Sequence, residues 1–146
     1  MSIRRMVEMQ CPRCGIKSEV EIWDTINAQV SPEAKGALLE GEINVYRCDI
    51  CKFEAGISIP LLYHDMRNGF CVQFFSSEKM RDDRFFEQFT PNAQMKTDRT
   101  APDDELPDYF RNIHFVFGMN ELARYIIFRD KLALHIEKSG SSGLTA

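Results

Sequence analysis

Between positions 16 and 23 apolar and polar residues alternate, with Val20 and Ile22 interleaved with Glu19 and Glu21. A two-residue period sends successive side chains to opposite faces, so this stretch predicts a strand with one wet face. The pattern then changes at Ser31-Pro32-Glu33, which reads as an N-cap, a first-position proline and a first-turn acid. Ala34, Ala37 and Leu38 recur at helical spacing until Gly41, predicting a short helix to about Glu40 and then a strand over residues 43–47. A strand-like run over residues 56–64 leads to Asn68-Gly69, a strong hairpin signal. With those two as the turn, Arg67 faces Phe70, Met66 faces Cys71, His64 faces Gln73 and Tyr63 faces Phe74. Pro60 lacks a backbone donor and marks an edge or a bulge in the first arm.

Farther on, Ser76-Ser77-Glu78 opens a helical pattern to about Phe89, with Met80, Phe85, Phe86 and Phe89 on its apolar side. Residues 91–112 carry Pro91, Pro102 and Pro107 among Asp98, Asp103, Asp104, Glu105 and Asp108, and are expected to form a mobile, exposed loop. A last strand over residues 113–117 feeds Asn120, which can cap a helix packing through Leu122, Tyr125, Ile126 and Ile127. The polar run Arg129-Asp130-Lys131 is a place for that helix to break before residues 132–138, and residues 139–146 read as a flexible tail. Neither half shows enough strands for a covered sheet of its own, so residues 1–138 are read as one α+β domain.

Two cysteine pairs organise this pattern: Cys11-Pro12-Arg13-Cys14-Gly15 and Cys48-Asp49-Ile50-Cys51. A two-residue gap lets each pair curl so that both sulfurs point at one spot, and two such knuckles close a tetrahedron. The spacing predicts a structural Zn²⁺ held by Cys11, Cys14, Cys48 and Cys51, with no open position for water. A redox-active CxxC is a rival reading, but it calls for one pair beside a βαβ pattern; disulfides are another. The fold expected is a zinc ribbon continuous with a small antiparallel sheet, flanked by helices including one at the C-terminus. Gly15 supplies the positive φ that such a knuckle needs; Lys52 stands at the equivalent place in the second, whose geometry is expected to be less regular.

The chain of 146 residues is 44 % hydrophobic, enough to bury a core without the metal. A formal charge of -4 disfavours broad binding to nucleic acid or anionic membranes, and no apolar run approaches a membrane span. An odd count of five cysteines fits a reducing compartment better than a disulfide scaffold, hence an expected cytoplasmic location.

Four pieces of the chain resemble the CpXC family, small bacterial and archaeal proteins named for the first knuckle. They are Cys11-Pro12-Arg13-Cys14, Trp23-Asp24-Thr25-Ile26-Asn27, the run from Gly41 to Cys48, and Pro60-Leu61-Leu62-Tyr63-His64-Asp65. The likeness continues in the run from Phe115 to Leu122, so it covers most of the chain. It departs at Lys52, where the family pattern tends to have glycine, and at Arg124-Tyr125, where it tends to have an acid and a lysine. The resemblance implies the fold and the metal without supplying a reaction.

Beyond the cysteines the chemistry is sparse. His64-Asp65 is the most enzyme-like pair, yet adjacent strand residues point to opposite faces. Cys71 sits among aromatic residues with no base nearby and reads as a small hydrophobe. No phosphate loop, HExxH or GxSxG occurs, so no catalytic residue is assigned. The leading expectation is therefore a zinc-stabilised module that binds another protein, with Tyr109 and Phe110 as exposed anchors. The alternative is a nucleic-acid-associated zinc ribbon using Arg13 and Lys52 at the knuckle tips, and third comes an enzyme built on His64.

Overall fold

The computed structural model describes residues 2–96 and 108–143, with the side chains of residues 140–143 left aside. Strands β1 (Ile3–Gln10) and β2 (Lys17–Asn27) form an antiparallel hairpin, followed by α1 (Pro32–Leu39). A separate two-stranded ribbon, β3 (Val45–Arg47) with β4 (Glu54–Gly56), comes next. Then β5 (Leu61–Asp65), β6 (Phe70–Phe74) and β7 (Ile113–Val116) join the first hairpin in a five-stranded sheet of order β1-β2-β5-β6-β7.

The sheet is mixed rather than antiparallel: β5 runs parallel to β2, and β7 parallel to β6. Parallel neighbours need a crossover of a dozen or more residues. Here α1 with the β3–β4 ribbon fills the first crossover, and the second lies between β6 and β7, with short helical turns at Ser77–Arg81, Asp83–Phe86 and Asp108–Arg111.

One face of the sheet is covered by α1 and by α3 (Met119–Gly143), which bury Ala34, Leu38, Leu122 and Ile126 against Tyr63, Phe70, Val72, Phe74 and Val116. Ser31 precedes α1 but its side chain caps nothing; its hydroxyl donates to Ser2 Oγ at 2.9 Å instead. Helix α3 does not break at residues 129–131. The Arg129 guanidinium lies 4.3 Å from the Phe70 ring centroid and donates to Tyr125 Oη and the Asn68 carbonyl, while Asp130 pairs with Lys35 at 2.9 Å. The polar run thus fastens the helix down, and the helix continues through much of the expected tail, with residues 144–146 outside the described part.

The hairpin turn is longer than Asn68-Gly69 alone. Asp65 faces Phe70, His64 faces Cys71 and Tyr63 faces Val72, leaving residues 66–69 as the loop. The cause is Asp65, whose carboxylate accepts from the Asn68 backbone N–H at 2.9 Å and side-chain amide at 3.1 Å, while its carbonyl accepts from Gly69 N–H. The register is displaced by two positions from the one expected, so every side chain keeps its face.

The helix expected to end near Phe89 is two short pieces, a 3₁₀ turn at Ser77–Arg81 and α2 at Asp83–Phe86. Asp82 separates them: it is extended (φ -107°, ψ 117°), and its carboxylate accepts from Arg84 N–H at 3.0 Å, restarting the helix. The flanks of the acidic stretch are packed rather than loose. Gln94 grips the edge of β7, accepting from Ile113 N–H at 2.8 Å and donating to its carbonyl at 3.0 Å. Asp108–Arg111 form a 3₁₀ turn against the sheet. Residues 97–107, the rest of the expected mobile loop, lie outside the described residues.

Candidate metal centre

Both knuckles are built alike, each at the tip of a hairpin. In the first, Cys11 N–H donates to Ile16 O at 2.8 Å and Gly15 N–H to Cys11 O at 2.9 Å. In the second, Cys48 N–H donates to Phe53 O at 2.8 Å and Lys52 N–H to Cys48 O at 2.9 Å. Gly15 has φ 80° and Lys52 has φ 65°, so Lys52 takes the left-handed conformation that glycine adopts more easily, and the second knuckle is as regular as the first. The bonds that close the loop override the lysine's local preference.

These turns bring four sulfurs together. Cys11 and Cys51 Sγ are 3.6 Å apart, Cys14 and Cys48 Sγ 3.5 Å, and all four lie within 4.8 Å of one another. Metal–sulfur bonds of about 2.3 Å in a tetrahedron require sulfurs about 3.8 Å apart, so the cluster is near the size an ion needs. Backbone donors also point inward: Arg13 and Cys14 N–H to Cys11 Sγ at 3.4 and 3.5 Å, and Cys51 N–H to Cys48 Sγ at 3.5 Å.

The electrostatics fit a cation. Burial opposes ionisation of Cys11, but the N–H groups of Cys14 and Arg13 and the neighbouring thiols outweigh it and bring its pKa down to about 6. Cys48 is lowered too, first by Cys51 N–H acting against burial. Ile16 N–H favours a Cys14 thiolate, yet burial and the sulfurs of Cys48, Cys11 and Cys51 raise its pKa to about 12. Some thiolates are thus ready while their neighbours resist a further negative charge, and a divalent ion removes that conflict. Behind the sulfurs lies a small core of Tyr46 with Met9, Val20, Phe53 and Ile57.

Asn44 joins this end to the main sheet, a role its sequence context did not suggest. Its side chain accepts from Trp23 N–H at 2.8 Å and donates to Trp23 O at 3.0 Å, standing in for a neighbouring strand. Its own carbonyl accepts from Ile57 N–H at 2.7 Å, beyond β4. A polar residue inside the apolar run Ile43-Asn44-Val45 was the available signal.

The other candidates fall elsewhere. Arg13 and Lys52 are exposed on the knuckle turns. Tyr109 and Phe110 are not the exposed anchors expected: both are half-buried, with Tyr109 Oη 3.0 Å from His64 Nδ1 and the Phe110 ring centroid 5.2 Å from the His64 ring centroid. His64 is the reason, since it leaves the sheet on the face that α1 and α3 do not cover and offers an aromatic surface to the Asp108–Arg111 turn. Asp65 is occupied by the turn and by Gln29, whose amide donates to it at 2.8 Å. Cys71 is buried, and burial pushes its pKa up to about 12, which makes it a thiol rather than a nucleophile at neutral pH.

A mixed sheet joined to a double hairpin with four clustered cysteines defines the kind of protein this is. The chain belongs to the CpXC family: the family model described as CpXC protein matches residues 9–137, which include all four cysteines. No curated protein and no solved structure matches the chain. No helix among the described residues is long and apolar enough to cross a membrane.

Proposed function

We propose that Cys11, Cys14, Cys48 and Cys51 hold one structural zinc ion in a zinc-ribbon arrangement, and that the domain serves as a protein-interaction module. The observation that carries this reading is the pair of equivalent knuckles, which converge four sulfurs and direct backbone donors at them. Four thiolates suit zinc, and a full set of protein ligands leaves no coordination position for a substrate, so the ion braces the fold.

A protein partner is favoured over nucleic acid by the state of several basic residues on β1 and β3. Arg5 pairs with Asp24 at 2.7 Å, Arg4 with Glu21 at 3.6 Å, and Arg47 with Glu42 and Glu54. These pairs reduce the cationic surface offered to a phosphate backbone. Between Cys48 and Cys51 in the second knuckle, Ile50 is 68 % exposed, an apolar contact on a turn that the ion would make rigid.

Salt-dependent retention of the zinc-loaded chain on immobilised DNA and RNA separates the readings. The expected result is no retention at about 0.15 M salt. Retention at that salt, lost in Arg13→Ala/Lys52→Ala, would replace the protein partner by a nucleic acid.

A further inference from the structure

Strand β1 is an edge strand eight residues long, hydrogen-bonded to β2 on one side alone. Among the described residues no backbone bond reaches the outer side of residues 4–10. Natural proteins usually blunt such an edge by brevity, charged side chains, proline or a bulge, because its unpaired N–H and C=O groups invite another strand; here charge is the one device present, in Arg4, Arg5 and Glu8. From Arg4 to Gln10 this edge has no proline and no register shift; the one irregularity lies between Ile3 and Arg4. Met6 at its middle is 56 % exposed.

We propose that β1 pairs antiparallel with β1 of a second copy of this chain about a twofold axis at Met6. Charge selects both the partner and the register. In a twofold pairing across a continuous sheet, a residue can lie opposite only residues of the same face, hence of the same parity. An axis at residue 5 sets Arg5 against Arg5 of the other copy. An axis at residue 7 sets Met6 against Glu8 and leaves Arg4 opposite Gln10. The axis at residue 6 places Arg4, whose guanidinium also lies 3.6 Å from Glu21 of its own chain and would be shared, opposite Glu8 of the other copy, twice by symmetry, with Met6 against Met6 between them and the Arg5 stem beside Val7. Two five-stranded sheets become one continuous sheet.

The assembly stops at two. A twofold contact uses up both β1 edges, and the opposite edge of each sheet is occupied at Ile113 by the Gln94 side chain. The partner is thus a second copy, and the metal end remains free.

Sedimentation of the full chain between about 1 and 100 µM is expected to show a concentration-dependent dimer. Arg4→Glu and Glu8→Arg each convert two attractive pairs into two repulsive ones and should weaken dimerisation about tenfold or more, while the combination Arg4→Glu/Glu8→Arg should restore it. As an independent check, Met6→Cys should yield a crosslink between the introduced thiols on mild oxidation, because opposed Cα atoms about 4.5 to 5.5 Å apart match disulfide geometry. Gln10→Cys should not crosslink. A monomer across the whole range, single reversals without effect, or a combined variant that stays as weak as the single ones would overturn the proposal.

Discussion

The main sheet and the metal hairpins are held together by different physics. Counted over the described residues, the sheet buries fourteen core residues between strands and helices, among them Leu61, Tyr63, Val72, Leu122 and Ile126 at 0 % exposure. The hairpin end buries three, and two of those, Cys11 and Cys48, are candidate ligands. Apolar burial contributes roughly 25 cal/mol per Å², which supports the first region and falls short for the second. The proposed ion would supply the stability that the knuckles and the β3–β4 ribbon lack, whereas the rest of the sheet is expected to stand without it.

Metal removal should separate the two regions most sharply. Structural zinc contributes on the order of 10 kcal/mol of apparent binding energy in small peptides at neutral pH. A chelator is therefore expected to expose the amides of β3, β4 and both knuckles to hydrogen exchange, while β5, β6 and the first half of α3 stay protected. Loss of protection throughout would mean that the sheet leans on the metal.

The reverse experiment acts on the sheet. Leu122→Ala removes a side chain that is 0 % exposed and should cost about 3 to 5 kcal/mol in denaturant unfolding, with metal content unchanged. At the junction, Asn44→Ala strands the buried N–H and C=O of Trp23 and should cost about 2 to 3 kcal/mol. It should also raise hydrogen exchange in the β3–β4 ribbon, because Asn44 ties that ribbon to β2. The smallest expected effect is Lys52→Gly, which relieves a φ of 65° and should stabilise the metal-bound chain by up to about 1 kcal/mol. Destabilisation there would show that the lysine side chain contributes something its backbone strain conceals.

Local signals in the sequence were readable wherever the physics is local. The paired CxxC spacing marked the sulfur cluster, the alternation through Val20 and Ile22 marked β2, and Asn68-Gly69 marked a turn. Where an interaction between distant parts decides, no local pattern carries it. The direction of β5 against β2 depends on how α1 and the β3–β4 ribbon return the chain, which no period reveals. Asp65 enlarged the turn by accepting from Asn68, and Arg129 anchored α3 on Phe70, where a polar run by itself suggested a break. Tyr109 and Phe110 looked free because they follow an acidic stretch; the surface of His64 that receives them comes from a strand 45 residues away.

The central claim is that one zinc ion occupies the four-sulfur cluster. It is tested most directly by metal analysis with zinc X-ray absorption on the full chain and on Cys48→Ser. The account predicts one zinc per chain with four sulfur neighbours at about 2.3 Å in the original chain, and its loss or severe weakening in the variant. A full, chelator-resistant equivalent of zinc in Cys48→Ser, or an oxygen or nitrogen ligand in the original chain, would contradict it.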